Sequence, residues 1–464
     1  MARDTTDRTP IETRDDLVGW FEAGCKPGQA IGIENEKIPF YRDTLRPVPY
    51  EGEPAGGRGG IRALLDGLAA RQGWDRIVEE DCPIGLSDDA GTGGAVSLEP
   101  GGQFELSGAP LTTLHESRDE LAGHLSALKA VAEPLGIGFL ALGAGPKWRL
   151  DETPMMPKGR YRIMAGYMPK VGTRGLDMMF RTSTVQANLD FASEADMVRK
   201  LRVSLALQPI ATALFANSPF KEGRPSGFLS ERSHIWRDTD VARSGMMPFA
   251  FESGMGFERY VDYALDVPLY FVKRGDRYHD VSGASFRDLL AGRLPGLPGE
   301  RATLSDWANH LSTIFPEVRL KRYLEMRGED VGPADMIVAL GALFAGLLYD
   351  ATALDAAEDL AAAWSGAGAA EARQAMRDAV PTQGFRATAG GRSFRDIAGD
   401  MLAIARGGLA RRGFRDANGA DEAQYLAPLD ELVDRGQTRA DMLLERFHGA
   451  WGGSVDPAFT ECVY

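Results

Sequence analysis

Three short stretches carry carboxylates at spacings that could gather cations. In Ile31-Gly32-Ile33-Glu34-Asn35-Glu36-Lys37, strand alternation puts Glu34 and Glu36 on one face and Ile31, Ile33 and Asn35 on the other. Their α-carbons would lie roughly 6.6 Å apart, two strand steps of ~3.3 Å, so the two side chains could converge on one ion or flank two. In Ser97–Pro110, two extended runs are joined by Pro100-Gly101-Gly102, a strong turn signal. Glu99 lies before the turn, and Gln103 and Glu105 share a face after it. The third stretch, Glu317–Gly328, reads as one strand with Arg319, Lys321, Tyr323, Glu325 and Arg327 on a single face. A solvated sheet surface would explain any one of these. Their recurrence, each time with apolar residues on the opposite face, points to a shared site.

Glutamates cannot crowd together without cations, because like charges at close range raise their pKa values and neutralise some of them. The donors are all oxygen and no Cys or His cluster is present, which disfavours zinc and favours Mg²⁺ or Mn²⁺. Divalent ions flanked by Arg and Lys are the apparatus of phosphoryl transfer. From Thr182 a long strand is expected, with Thr184, Gln186, Asn188 and Asp190 on a hydrogen-bonding face suited to a polar ligand cavity. Residues 146–175 are basic and turn-rich, and Lys158 and Arg160 could form a phosphate- or carboxylate-binding rim. Residues 220–248 read as a long irregular segment containing Arg232, His234 and Trp236; loops of this length are often functional. His234 alone reads as structural. The run Gly136–Ala141 matches G-x-G-x-x-A but follows a helix, so it reads as a helix stop entering a strand. The chain contains no P-loop, H-E-x-x-H or G-x-S-x-G sequence.

The elements that must hold these residues follow from periodicity and punctuation. A polar lead precedes a helix capped by Thr13, and a Gly-rich stretch, Gly52–Gly60, precedes a helix over Ile61–Arg71. Short strands are expected over 75–98 and helices over 111–132 and 193–214, the latter capped by Ser193. From Met336 onward the chain reads as an Ala-rich helical wall. At 464 residues, with 44% hydrophobic and 25% charged residues, it is expected to form one large domain over 1–464, sheet-rich over 15–330 and mainly helical over 331–464. A net charge of −14 with no basic run argues against nucleic acid or an anionic membrane as partner. The longest apolar run, Met336–Tyr349, is too short to span a bilayer and reads as a buried helix. Three cysteines without a CxxC motif and a first stretch lacking an apolar segment lead to an expected cytoplasmic location.

With these motifs in view, the chain resembles the plant-type glutamate–cysteine ligases, a family many bacteria also possess. The resemblance rests on Gly32-x-Glu34-x-Glu36-Lys37, Ser97–Pro110, Pro146-Lys147-Trp148, Met156–Tyr161, Tyr167–Gly172, Leu176–Phe191, Ala206–Phe220, Arg232–Trp236, Tyr260–Pro268 and Phe315–Gly328. It runs from about residue 15 to Trp451–Pro457. It implies an α+β, glutamine-synthetase-like ligase fold: a curved, mainly antiparallel sheet forming a funnel, with helices outside. It also implies ATP-dependent joining of the glutamate side-chain carboxylate to the cysteine amine through γ-glutamyl phosphate. The site it implies has Glu34, Glu36, Glu99, Glu105 and Glu325 as metal ligands for Mg²⁺ or Mn²⁺. Arg327, Glu325 and Lys321 would be catalytic, and Lys158, Arg160 and Arg327 would bind ATP. Arg232, Gln186, Asn188 and Thr184 would form the amino-acid pocket. A bacterial form, monomeric or homodimeric, acting on L-glutamate, L-cysteine and ATP is expected. Departures from the family pattern at Ala30, Asn35 and Gly145 keep a ligase for another amine as the alternative, with a non-catalytic amino-acid- or nucleotide-binding regulator behind it.

Overall fold

The computed structural model describes residues 7–53 and 57–464. The first residues of the polar lead and part of the Gly52–Gly60 stretch lie outside the described residues. Eight strands form one sheet: β1 (Ile31–Asn35), β2 (Asp75–Glu79), β3 (Cys82–Ser87), β4 (Ala95–Leu98), β5 (Phe104–Ser107), β6 (Thr184–Leu189), β7 (Val318–Leu320) and β8 (Leu324–Asp330). Their order is β7-β8-β6-β1-β5-β4-β3-β2, and every neighbouring pair is antiparallel. The central strands β1 and β6 are thus flanked by the two carboxylate-bearing hairpins, β4–β5 and β7–β8, which lie far apart in sequence.

One face of the sheet is apolar. Ile31, Ile33, Leu106, Val185, Ala187, Leu189, Leu324 and Met326 are buried there, with helices Leu114–Ala132, Glu194–Leu214 and Ala334–Leu348 packed behind the strands. The apolar run expected to form a buried helix does so as Ala334–Leu348, and no single helix among the described residues is long and apolar enough to cross a membrane. This helix lies so close to β1 that a Cβ on Gly341 would stand 2.8 Å from Ile33 Cδ1. Its other side meets helix Phe394–Arg412, where a Cβ on Gly408 would stand 1.9 Å from the Gly346 carbonyl oxygen. Backbone cannot move aside as a side chain can. Gly408→Val is therefore expected to force the helices apart and cost on the order of 3 kcal/mol, seen as a lowered urea midpoint; an unchanged midpoint would show that the crossing is not tight.

Several local readings change. Residues 159–181 are mainly helical, in Gly159–Tyr167 and Gly175–Arg181, rather than a turn-rich rim. Tyr161, Met164 and Met168 recur at helical spacing and are buried, which outweighs the Pro and Gly punctuation around them. The strand after Thr182 is shorter than expected, Thr184–Leu189. The irregular segment 220–248 contains a short helix, Glu231–Ile235, capped by the Ser230 hydroxyl, which accepts from the Ser233 N–H. Glu317–Gly328 is a hairpin rather than one strand: the chain reverses at Lys321–Tyr323 so that Arg319 pairs with Glu325.

Candidate active site

The polar face of the sheet lines a cavity of about 890 Å³, part of it open to solvent. Each strand contributes by alternation. Glu34 on β1 stands opposite Gln186 on β6, and Glu36 follows at the end of β1. Between β4 and β5 the chain turns at Gly102, whose φ of 88° lies in the region that glycine adopts without strain. The turn closes with hydrogen bonds between Glu99 and residues 102 and 103, so Glu99 and Glu105 reach the cavity from its two sides. Gln103 is fastened, donating to the Met179 and Thr182 carbonyls at 3.2 and 2.8 Å. Of the residues expected from sequence, Glu34, Glu36, Glu99, Glu105, Lys158, Arg160, Thr184, Gln186, Arg232, Lys321 and Arg327 line this cavity.

Glu325 and Asn188, paired across β8 and β6, are not among the residues that line this cavity. Asn188 Nδ2 donates to Glu34 Oε1 at 2.8 Å and so aims that carboxylate. Glu325 is 0% exposed and ringed by cations. Arg319 Nη2 lies 2.6 Å from Oε1, Lys321 Nζ 2.6 Å from Oε2, and Arg327 Nε 3.1 Å from Oε1. Burial alone would push the Glu325 pKa up, but these three charges hold it well below the carboxylate range. Arg327 is pulled down to about 10 by burial and by the neighbouring Arg319, and it is still charged at neutral pH.

The opposite holds for Glu34 and Glu36. Burial raises both, and neighbouring carboxylates add to it: Glu105 and Glu325 for Glu34, Glu99 and Glu105 for Glu36. Thr184 N–H donates to Glu36 Oε2 at 3.0 Å, while its hydroxyl turns back to the Glu329 carbonyl. The cavity therefore has a carboxylate wall short of positive charge beside a cluster of cations sharing one carboxylate. A divalent ion fits the donor chemistry of that wall, since hard oxygens in excess negative charge are what Mg²⁺ selects. Among the described residues, no three His, Cys, Asp or Glu side chains stand close enough together to hold one ion as they are placed.

On the other face of β1, Asn35 points away from the glutamates, as alternation requires. Its Oδ1 accepts from the fully buried Lys37 ammonium at 2.5 Å. Burial pulls the Lys37 pKa down to about 7.

Some cavity residues were not assigned a role from sequence. Arg319, on the same hairpin face as Lys321, is tied to the Ser312 and Ile314 carbonyls, both at 3.1 Å. Parity on the hairpin was the available signal. Trp236 and Phe315, packed edge to face, lie beside Arg327, with ring centroids 5.2 and 5.5 Å from its guanidinium carbon. Trp236 Nε1 and Arg232 Nε are buried N–H groups without a hydrogen-bond partner, and Gln186 Oε1 is a buried acceptor without one. All three residues line the cavity. Unmet donors and acceptors on its walls suit a ligand with both carboxylate and ammonium groups.

Glu329 departs from simple alternation. A bulge between Met326 and Glu329 adds one residue to β8, which turns Glu329 out of the Glu325–Arg327 face and against Gln208, whose Nε2 donates to it at 2.6 Å. Burial pushes Glu329 up to about 8. The folded chain thus holds a proton between pH ~4.3 and ~8 that the unfolded chain has released, so this group makes stability fall as pH rises through that window. Glu329→Gln should therefore lie close to wild type near pH 4.5 and exceed it by a margin that grows toward pH 8, bounded by about 5 kcal/mol. Denaturation midpoints across pH check this, and a difference that does not vary with pH would refute it.

Comparison with known proteins extends this geometry. The family described as Glutamate-cysteine ligase family 2 (GCS2) matches residues 30–461. The chain is 53% identical over 454 residues to the chloroplastic glutamate–cysteine ligase B of Oryza sativa subsp. japonica, covering 97% of this chain and 87% of that one. It is 54% identical over 454 residues to the chloroplastic glutamate–cysteine ligase of Arabidopsis thaliana, covering 97% and 83%. In fold it is similar to a crystal structure of a glutamate–cysteine ligase from Francisella tularensis in complex with AMP. The TM-score is 0.55 at 13% identity, over 94% of this chain and 88% of that one. The α+β, funnel-like ligase architecture is therefore shared. The plant relatives are chloroplastic, and this overturns the expected cytoplasmic location, which rested only on the character of the first residues and on cysteine count.

Proposed function

The chain belongs to the glutamate–cysteine ligase family, and from that premise we propose that it joins L-glutamate to L-cysteine at the expense of ATP, giving γ-glutamylcysteine, ADP and phosphate. The observation that carries this reading is the cavity in which Glu34, Glu36, Glu99 and Glu105 face Arg232, Lys321 and Arg327. Phosphoryl transfer between two anions needs that opposition of charge, because the protein must hold acceptor carboxylate and phosphates close together against their repulsion.

In the first step an oxygen of the glutamate side-chain carboxylate attacks the γ-phosphorus of ATP, and the bond to ADP breaks. In the second, the cysteine nitrogen attacks the γ-carbonyl carbon of the acyl phosphate, phosphate leaves, and the nitrogen gives up a proton. Arg327, Lys321 and Arg319 neutralise charge on the transferred phosphoryl group, and Glu325 holds the three in place. Lys158 and Arg160 serve the nucleotide phosphates. Arg232, with Gln186 and Thr184, holds glutamate, Arg232 taking a carboxylate; Trp236 Nε1 offers a second donor. Asn188 serves the pocket by aiming Glu34. Mg²⁺ or Mn²⁺, when bound, supplies further neutralisation of the phosphates, and Glu34, Glu36, Glu99 and Glu105 are the residues that would hold it; Glu325, expected among them from sequence, is taken up instead by Arg319, Lys321 and Arg327.

The test is ADP release from ATP, Mg²⁺ and L-glutamate with and without L-cysteine, with the product identified by mass. Cysteine-dependent ADP with γ-glutamylcysteine is expected. Release that ignores cysteine but follows another amine would replace the reading with a related ligase.

A further inference from the structure

We infer that Asp330 is a positioning residue for glutamate binding, a buried carboxylate that fixes Arg232 without reaching the cavity itself. The inference rests on the reading of Arg232 as the partner of a glutamate carboxylate. Asp330 ends β8, the strand that carries Glu325 and Arg327 into the site. Its Oδ2 accepts from the Asn217 N–H at 2.8 Å and the Ser218 hydroxyl at 2.6 Å, and its Oδ1 from the Ser230 hydroxyl at 2.8 Å. Both serines then pass the constraint on. Ser218 Oγ accepts from the Arg232 N–H at 3.2 Å, and Ser230 Oγ from the Ser233 N–H at 3.0 Å. The backbones of Ser218 and Ser230 pair as well, the Glu231 N–H donating to the Ser218 carbonyl at 2.9 Å. The short helix that bears Arg232 is thereby bolted to the end of β8.

The guanidinium is anchored to the same strand. Arg232 Nη2 donates to the Arg327 carbonyl at 2.7 Å, while its Nε is buried without a partner and the residue lines the cavity. Main chain and side chain of Arg232 are thus both referred to β8. A helix of five residues has little stability of its own, so its placement depends on this cluster. Asparagine at 330 would keep the shape but could accept from only one of the two serine-linked directions, because its amide nitrogen is a donor.

Asp330→Asn is expected to raise KM for L-glutamate about tenfold while KM for ATP stays within about twofold. In an Arg232→Ala background the same substitution should add less than about twofold, since residues acting through one another are not additive. A merely structural role would move both KM values together and would add fully in the double variant, and either result overturns the inference. If Arg232→Ala leaves the glutamate KM unchanged, the reading of Arg232 itself fails and this inference falls with it. Should Asp330→Asn not fold, Ser218→Ala, which removes one donor of the three, carries the same comparison.

Discussion

Glu325→Gln is expected to cost about 3–5 kcal/mol of stability at neutral pH and to abolish turnover, because it removes the one carboxylate that three buried cations share. Arg319, Lys321 and Arg327 all lie within 3.1 Å of it, and none is more than about a tenth exposed. Glutamine matches the shape but not the charge. Its amide nitrogen, a donor, would face at least one of the cations. The sign of the pH dependence follows from the depressed pKa of Glu325. The stabilisation is complete above the ordinary carboxylate pKa of ~4.3 and is lost as pH falls below it toward the folded value. Wild type should therefore lose stability in acid more steeply than Glu325→Gln, and the two should converge there. Denaturation midpoints from pH 7 down into acid well below pH ~4, taken without ligands, measure this. Equal midpoints at pH 7 would mean that the cluster is solvated enough to tolerate the loss. Glu325→Asp keeps the charge on a shorter arm and should recover part of the stability.

Arg327→Ala should lower kcat by about 10²–10³ with much smaller changes in KM, the size seen when one preorganised charge is removed from a developing oxyanion. Arg327 is prepared for that role by its surroundings. Its guanidinium lies beside the edge-to-face pair Trp236 and Phe315, its Nε is held by Glu325, and the residue lines the cavity. Little reorganisation is then needed when phosphate arrives. Lysine at 327 would keep the charge but not the planar group whose Nε bonds Glu325 beside the two rings, so Arg327→Lys should recover only a minor part. Steady-state ADP release separates the outcomes. A kcat within about threefold of wild type for Arg327→Ala would exclude Arg327 from charge stabilisation.

Local pattern was enough for much of the site. The parity of Glu34 and Glu36, and of Gln103 and Glu105 across a Pro-Gly-Gly turn, is a property of extended chain and holds wherever the strand is placed. So does the burial of helix Ala334–Leu348, which has too few polar residues to face water anywhere. The helix over Gly159–Tyr167 was not legible because Pro157, Gly159 and Pro169 mask a short apolar stripe that only packing rewards. The hairpin at Lys321–Tyr323 was not legible either, since no Gly, Pro or Asn marks the reversal.

What the sequence by itself determined is the chemistry available: hard oxygen donors, basic partners and polar strand faces, together with family membership and its ligase fold. What only the tertiary structure decided is which of these groups meet. Glu34 lies beside Gln186 because of strand order and register, which depend on pairings between residues far apart in the chain, and Arg319 lies beside Glu325 because of an unmarked hairpin reversal. One bulge separates Glu329, turned to the helices, from Arg327, turned to the cavity. Asn188 serves Glu34 because β6 lies directly beside β1, so its amide reaches the carboxylate across the strand pair. Side-chain type is written residue by residue, but charge balance in a buried site is a sum over neighbours, and neighbours are fixed only when the sheet closes.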